Sequence, residues 1–230
     1  MIDYVGNELE LFQFAVNWKT YFSSSFKKYI KGDVLEVGAG FGVNTKYLIT
    51  PKTTSWTFIE PDAKLAGKIS EYTANLNIPK EIIVGTMENI STRKFDTIIY
   101  IDVLEHIEQS KEEIRKIKER LNTGGHLIIL VPAFQFLYNE FDAKLGHFRR
   151  YNKPLLRSEV NPVLSEIKMY YLDSCGLLAS LVNKVFLKKA EINLAQVNLW
   201  DKVLIRFSKI SDIFFFKSFG KSLIGIFEKR

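Results

Sequence analysis

A short apolar segment of this chain runs into closely spaced glycines and carries one carboxylate. Residues 33–42 read Asp-Val-Leu-Glu-Val-Gly-Ala-Gly-Phe-Gly, with glycines at Gly38, Gly40 and Gly42 and the acid at Glu36. Glycine lets the backbone turn tightly and lets a ligand approach the peptide groups, and a following helix offers its N-terminal N–H groups. The segment therefore predicts a nucleotide-cofactor loop at the end of a strand in an α/β sheet.

The glycine spacing distinguishes between two kinds of nucleotide-binding loop. A dinucleotide loop has the pattern G-x-G-x-x-G, which would place its third glycine at position 43, where this chain has Val43. The spacing here is G-x-G-x-G, which disfavours the rival enzyme class, a nicotinamide-dependent oxidoreductase. Glu60 ends an apolar run eighteen residues beyond Gly42, where an acid can accept hydrogen bonds from both ribose hydroxyls.

A second segment with polar chemistry, Asp102-Val103-Leu104-Glu105-His106-Ile107, follows the apolar run 95–101. It is similar to the D-x-L-E-H-h signature of small-molecule class I S-adenosylmethionine-dependent methyltransferases, and the glycine loop resembles their motif I. The resemblance covers roughly residues 30–133 and implies S-adenosylmethionine as the cofactor. The cofactor-binding residues that it implies are Glu36, Gly38, Ala39, Gly40, Gly42, Glu60, Pro61, Thr86, Met87, Asp102 and Val103.

The resemblance also assigns parts of the cofactor to particular residues. Glu36 would meet the ammonium group, and Glu60 would bind the ribose. Thr86 and Met87 would lie beside the adenine, although many family members have an acid where this chain has Thr86. Asp102 would pass beside the methionine part of the cofactor.

Methyl transfer is an in-line displacement at a sulfonium carbon, so the protein must mainly align the two reactants. A hydroxyl acceptor would also need a base, and His106 is the first candidate, with bracing of its loop as the alternative role. Asp102, Glu105 and His106 on one short loop are a loose pattern for a divalent ion, and no metal site is predicted. His126 and Cys175 receive no role.

The segment 146–151, Gly-His-Phe-Arg-Arg-Tyr, is dense in groups that bind anions. Arginine can bind a carboxylate or phosphate bidentately, and His147 is a second candidate base. In the alternative interpretation the arginines pair with acids such as Asp142 and order the loop. The predicted substrate-binding residues are Arg149, Arg150 and Tyr151.

The longer string 141–151 resembles a motif of bacterial methyltransferases of largely unassigned substrate, some of them encoded among glycan-assembly enzymes. This resemblance implies a sugar-phosphate or lipid-linked glycan as the acceptor.

Alternating strand-like and helical segments position these residues. A parallel sheet with helices on both faces binds its ligands outside the carboxyl ends of its strands. Strands are predicted at 34–37, 56–60, 81–84, 95–101, 125–131 and 167–171. Helices are predicted at 43–49, 62–76 and 110–121, the last capped by Ser110. The segment 221–227 is predicted as a final strand, antiparallel at the sheet edge as the resemblance implies.

This pattern predicts one Rossmann-like methyltransferase domain spanning 1–230. It has an N-terminal helical lid at 1–30, a core at 31–172, a helical insertion at 173–220 and the last strand at 221–230.

Charge is distributed unevenly along the chain. The protein has 230 residues and a net charge of +6. Residues 181–230 hold ten Lys or Arg against four acids, interleaved with the run Ile213-Phe214-Phe215-Phe216. Such a tail suits an anionic membrane surface or a lipid-linked substrate, or else it is a packed helix with solvated lysines.

One cysteine, no visible secretory signal and no apolar run of about 20 residues predict a cytoplasmic protein. Peripheral association with the inner membrane surface is left open by these features.

The sequence thus predicts an S-adenosylmethionine-dependent methyltransferase acting on oxygen, or secondarily nitrogen, of a small or lipid- or glycan-linked anionic acceptor. One alternative is an S-adenosylmethionine-binding protein without turnover, tethered by its basic, Phe-rich tail to a membrane or larger assembly. Nucleic-acid methylation is disfavoured because no Asn-Pro-Pro-Tyr or Asp-Pro-Pro-Tyr motif follows the fourth strand. No oligomeric state is predicted.

Overall fold

A twisted sheet forms the centre of the protein. The computed structural model describes residues 8–184 and 193–230. The strands are β1 Gly32–Val37, β2 Thr53–Glu60, β3 Lys80–Val84, β4 Phe95–Ile101, β5 Leu121–Pro132, β6 Ser165–Leu172 and β7 Ser222–Glu228. They are ordered β3-β2-β1-β4-β5-β7-β6. The pairings from β3 to β5 are parallel, and β7 runs antiparallel to both of its neighbours.

Helices connect and cover the strands. Their bounds are α1 Glu8–Phe12, α2 Val16–Phe26, α3 Thr45–Leu48, α4 Ala63–Tyr72, α5 Ser110–Arg120, α6 Glu140–Lys144, α7 Lys153–Val160, α8 Ser174–Val182, α9 Leu194–Leu199 and α10 Ile205–Phe214. A π-helical turn at Trp200–Leu204 joins α9 to α10.

Both faces of the sheet are buried, because successive strand residues point to opposite sides. Leu35 of β1 belongs to one core cluster with Ile114 of α5. Its neighbour Val34 belongs to the other, with Phe22 of α2 and Ile69 of α4. This double burial explains why the central strands are continuous apolar runs in the sequence.

The predicted fold class is confirmed: the sheet is mostly parallel, its last strand in sequence is antiparallel, and helices lie on both faces. That last strand lies between β5 and β6, so the edge position is taken by β6. Residues 1–7 of the predicted lid and 185–192 of the predicted insertion lie outside the described residues. The expected cap of α5 is wrong: the Ser110 hydroxyl accepts a hydrogen bond from Arg149 and makes no cap bond.

The insertion between β6 and β7 is joined to the lid by two buried aspartates. Asp201 accepts hydrogen bonds from the backbone N–H groups of Asn17 and Trp18, at 3.1 and 2.8 Å, in the first turn of α2. Asp212 accepts a bond from the Tyr21 hydroxyl at 2.8 Å. Because α2 has no side-chain cap of its own, a residue distant in sequence performs that task.

None of the helices among the described residues combines the length and the apolar character that a membrane span requires.

Candidate functional site

The ends of the strands border a cavity of about 630 Å³. This volume falls within the roughly 300–1,000 Å³ that ligand pockets occupy. Val37, Glu60, Ile101 and Pro132 bring the ends of β1, β2, β4 and β5 to the wall of the cavity. Residues of α1 and α2 complete that wall on the lid side, and they are Leu9, Phe12, Trp18, Lys19 and Phe22.

Each glycine of the first loop has a different neighbour. All three have positive φ, at 64°, 55° and 74° for Gly38, Gly40 and Gly42. A Cβ on Gly38 would lie 2.5 Å from Val103, so the loops after β1 and β4 can pack only with glycine there. Gly40 borders the cavity beneath Leu9 of the lid. Gly42 instead packs against Thr73 at the end of α4, outside the cavity wall.

The structure corrects the predicted placement of Glu36. Its carboxylate is buried behind the loop, outside the cavity wall, and accepts hydrogen bonds from Thr45 Oγ1 at 2.7 Å and Trp56 Nε1 at 2.9 Å. Burial raises the pKa of Glu36 to about 7, and the two donors partly oppose that shift. Glu36 therefore ties the loop to β2 and α3 instead of facing a ligand.

Glu60 lies on the cavity wall, as predicted. Its two carboxylate oxygens accept backbone N–H groups of Gly40 at 2.8 Å and Asp62 at 3.0 Å. A carboxylate has about four lone-pair positions, so both oxygens keep capacity for further donors. Burial raises the pKa of Glu60, and the two N–H groups oppose this shift.

The remaining residues predicted around the cofactor surround the same space. Those that border the cavity are Ala39, Pro61, Thr86, Met87, Asp102 and Val103. The side chain of Met87 is buried, whereas Thr86 is exposed and caps a short 3₁₀ turn at Met87–Asn89.

Two acids of the loop after β4 face the cavity. Asp102 has a φ of 54°, a left-handed conformation that is uncommon outside glycine. Asp102 is exposed on the wall of the cavity, where desolvation by the surrounding protein raises its pKa against the opposing charges of His147 and Lys221. Glu105 is fully buried, and neither of its carboxylate oxygens has a hydrogen-bond partner among the described residues. Burial, followed by the charge of Asp102, raises the pKa of Glu105 well above its usual range.

His106 and His147, the two candidate bases, lie against one another at this end of the cavity. Their ring centroids are 4.5 Å apart and their planes are nearly perpendicular. His147 Nδ1 lies 2.9 Å from Asp142 Oδ1, and a ring nitrogen of His106 bonds to the Leu145 carbonyl. Burial, with a further effect of His147, lowers the pKa of His106 to about 4, so this ring is neutral at pH 7.

The predicted arginine pair divides into two roles. Arg150 is buried and binds Asp142 bidentately at 2.8 and 2.9 Å, and its side chain borders the cavity. Its Nη1 has no hydrogen-bond partner within the described part of the chain. Arg149 and Tyr151, which were also predicted to bind the substrate, lie away from the cavity. Arg149 donates to Ser110 and to the Glu108 carbonyl, and Tyr151 is buried against Glu159, so neither borders the cavity.

The structure adds residues that the sequence analysis missed. Lys19 of the lid, Lys221 before β7 and Trp200 of the insertion all line the cavity. Burial lowers the pKa of Lys19 to about 8 and also lowers the pKa of Lys221. No local motif marks these residues, since each comes from an element distant in sequence from the glycine loop.

Comparison with known proteins agrees with this geometry. The methyltransferase-domain family matches residues 14–166, which is more than half of the chain. The N-methyltransferase NodS from Bradyrhizobium japonicum, in complex with S-adenosyl-L-homocysteine, is 15% identical with a TM-score of 0.61, and 99% of each chain is covered.

Two further structures have the same fold. A S-adenosylmethionine-dependent methyltransferase from Clostridium acetobutylicum is 11% identical, with a TM-score of 0.58 and coverage of 99% of this chain and 92% of that one. Phosphoethanolamine N-methyltransferase 2 from Haemonchus contortus, in complex with S-adenosyl-L-methionine, is 12% identical, with a TM-score of 0.65 and coverage of 100% and 60%. The chain belongs to the methyltransferase-domain family and has the class I fold, which confirms the predicted S-adenosylmethionine-dependent class.

Proposed function

We propose that this protein transfers a methyl group from S-adenosylmethionine to an oxygen atom of a small or lipid- or glycan-linked acceptor that carries an anionic group. The observation that supports this most directly is the histidine pair in the cavity. His106 and His147 each use one ring nitrogen for an acceptor on the protein, which leaves the other ring nitrogen available to a ligand.

The cavity fits the cofactor. Glu60 has unused acceptor capacity for the ribose hydroxyls, and Gly40 has no side chain to keep a ligand away from the cavity wall. We assign Thr86 and Met87 to the adenine and Asp102 to the ammonium group, because these three residues border the cavity and Glu36 does not. S-adenosylmethionine supplies an electrophilic methyl group, and the residues around it hold the acceptor in line with that group, which contributes on the order of 7–11 kcal/mol.

The histidine pair favours oxygen as the accepting atom. A neutral amine attacks without first losing a proton, whereas a hydroxyl gains about 10²–10⁴-fold in rate from a positioned base. His147 is the better placed base, because Asp142 holds one of its ring nitrogens and leaves the other free, whereas the lowered pKa of His106 makes that ring a weak proton acceptor.

Two cationic side chains at the cavity, Arg150 and Lys221, favour an anionic acceptor. Nη1 of Arg150 is buried beside the cavity and has no hydrogen-bond partner in residues 8–184 and 193–230, although the other two nitrogens of that guanidinium bind Asp142. Lys221 lies on the same wall. A carboxylate or phosphate on the acceptor would satisfy these donors.

Calorimetric titration with S-adenosylmethionine tests the cofactor site. We expect Glu60→Ala to weaken binding by about 10–100-fold, because hydrogen bonds to a charged group contribute roughly 1.5–3 kcal/mol. The matched control is Glu119→Ala, an acid exposed on α5, which should bind as the wild type does. Binding of NADH in place of S-adenosylmethionine, or equal affinity in both variants, would contradict the proposal.

We also propose that the insertion contacts an anionic membrane surface. Residues of α10 and the turn after it form an exposed apolar face, which we define as Phe207, Ile210, Ile213, Phe214 and Phe216. Phe216 is 89% exposed and has a φ of 52°, a conformation that is a rare outlier for a bulky residue. Lys202 and Arg206 are exposed in the same helical segment, so the face combines apolar side chains with positive charge.

A further inference from the structure

We infer that Glu105, His106 and His147 form a binding site for one divalent transition-metal cation inside the cavity. The role of this cation in catalysis rests on the proposed methyl transfer, whereas its binding can be measured independently. No metal site is predicted from the sequence, where Asp102, Glu105 and His106 on one short loop are a loose pattern and His147 lies about forty positions further along the chain.

The three side chains converge. One ligand atom from each lies within 4.8 Å of the other two. Ligands bonded to one cation at about 2.0–2.2 Å are separated by roughly 3–4 Å. Side-chain movements of less than about an ångström would therefore bring all three atoms into one coordination shell, a distance that rotation of the Glu105 side chain can supply.

Glu105 is the strongest indication that a ligand belongs here. Its side chain is 0% exposed, and neither carboxylate oxygen has a hydrogen-bond partner on another described residue; the nearest donor is the backbone N–H of Glu105 itself. Native proteins rarely leave a buried carboxylate without a partner, because the desolvation cost is large. Arg150, the cation on the neighbouring segment, is held by Asp142 and does not pair with Glu105.

Both histidines use one ring nitrogen for a hydrogen bond to the protein, as metal-binding histidines in other proteins do. Such histidines use the second ring nitrogen to bond a carboxylate or backbone carbonyl, which fixes the tautomer and the ring orientation. His147 Nδ1 bonds Asp142 at 2.9 Å, which leaves Nε2 as its free nitrogen. His106 bonds the Leu145 carbonyl. Each ring therefore keeps one nitrogen free for a cation.

Two imidazoles and one carboxylate favour a borderline cation such as Zn²⁺, Co²⁺ or Ni²⁺ over Mg²⁺, which prefers oxygen ligands. Three protein ligands leave coordination positions for an oxygen of the acceptor. A hydroxyl bound there loses its proton more readily. When the cation is bound, both histidines are ligands, so the O–H proton leaves to solvent and not to a ring nitrogen. The oxygen lone pair then forms the new O–CH₃ bond, and the S–CH₃ electron pair stays on sulfur.

Cobalt titration of chelator-treated protein tests this site without an acceptor. We expect Co²⁺ to bind the wild type in a ratio of one to one, with visible absorption bands from the imidazole ligands. Glu105→Gln and His147→Gln should bind about 100-fold more weakly or worse. His126→Gln is the matched control, since His126 lies on β5 with Nδ1 against the Tyr29 carbonyl, and it should bind cobalt as the wild type does.

The outcomes are distinct. Absence of stoichiometric Co²⁺ binding by the wild type, or unchanged affinity in both Glu105→Gln and His147→Gln, would overturn the site. Displacement of cobalt by an equal concentration of Mg²⁺ would overturn its assignment to a transition metal.

Circular dichroism and S-adenosylmethionine titration of the same samples report folding and cofactor binding. Cobalt binding without S-adenosylmethionine binding would support the cation site and reject the methyl-transfer proposal. S-adenosylmethionine binding without cobalt binding would reject the cation site and leave the methyl-transfer proposal standing.

Discussion

At the scale of single residues, some side chains of the predicted cofactor site border the cavity and others hold the glycine loop in place. Gly38 allows Val103 to pack against the backbone, and Glu60 faces the cavity with capacity for donors. Glu36 lies two residues before Gly38, yet its side chain points away from the cavity, to Thr45 and Trp56. Position along the strands explains this difference: Glu36 pairs with Phe58 inside the sheet, whereas Glu60 is the last residue of β2 and lies where the cavity begins.

Burial of Glu36 predicts a pH-dependent stability. The folded state raises the pKa of this carboxyl to about 7, above its usual 4.5, so its stabilising contribution is complete below pH 4.5 and is lost as pH rises through 7. Glu36→Gln keeps an oxygen acceptor for Thr45 and Trp56 without the charge. We expect the stability of this variant relative to wild type to increase by about 2–3 kcal/mol between pH 5 and pH 8.

Urea unfolding of both proteins at the two pH values measures that difference. Glu119→Gln, on the exposed side of α5, is the control and should show no comparable change. A difference between wild type and Glu36→Gln that stays constant with pH would show that Glu36 keeps an ordinary pKa in the folded protein.

At the scale of elements, the insertion determines how the lid is held. The Asp201 carboxylate takes the place of a cap for α2, whose residues Trp18, Lys19 and Phe22 line the cavity. Asp173 and Asp212 reinforce this arrangement, since Asp173 accepts from Trp200 Nε1 and Asp212 from the backbone N–H of Asp173. The elements before β1 and after β6 thus form one wall of the site.

Asp201→Ala should therefore affect both stability and cofactor binding. Loss of a capping side chain costs about 0.5–2 kcal/mol, and the first turn of α2 should fray as its N–H groups lose their acceptor. We expect S-adenosylmethionine to bind more weakly because the lid side of the cavity is less ordered. Denaturant unfolding and calorimetric titration measure the two effects.

The control is Lys202→Ala, the exposed neighbour of Asp201, for which we expect little change in either measurement. A loss of stability in Asp201→Ala with unchanged cofactor affinity would show that α2 does not need its cap in order to close the cavity.

At the scale of the whole molecule, one side of the insertion packs on the lid and the other is exposed. Ile205, Ser208 and Asp212 of α10 are buried, whereas Ile210, Ile213 and Phe214 are 71%, 71% and 75% exposed. A contiguous exposed apolar face of this kind marks an interaction surface more often than ordinary surface. The positive charge along the same segment favours an anionic partner.

Binding to lipid vesicles tests the membrane proposal. We expect cosedimentation with vesicles containing anionic lipid, little with neutral ones, and a decrease as salt rises. The double variant Phe214→Asp, Phe216→Asp should bind at least about tenfold more weakly, since burying each phenylalanine contributes roughly 1.5–3 kcal/mol.

Val84→Asp is the control, because Val84 is an exposed apolar residue on β3, at the opposite edge of the sheet. Wild-type binding that is insensitive to the Phe214→Asp, Phe216→Asp change would refute the membrane proposal. A second result would also refute it: a wild type that binds no vesicles but dimerises with rising concentration, and a double variant that stays monomeric. The exposed face would then join two copies of the chain.

The sequence by itself determined the fold class and the loops that end β1, β2 and β4. These features are local: buried parallel strands are continuous apolar runs, and the glycine spacing and the acid at Glu60 each follow directly on a strand. The sequence also indicated the insertion and its basic, phenylalanine-rich composition.

Tertiary structure alone decided which side chains meet. Lys19, Trp200 and Lys221 reach the cavity from three distant elements, and His147 reaches His106 only because the segment after β5 folds back over the loop after β4. Glu36, Arg149 and Tyr151 lie away from the cavity wall, because each makes its hydrogen bonds with other parts of the protein. Spacing along the chain fixes neighbours within a strand or loop, whereas the pairing of distant side chains depends on packing across the whole sheet.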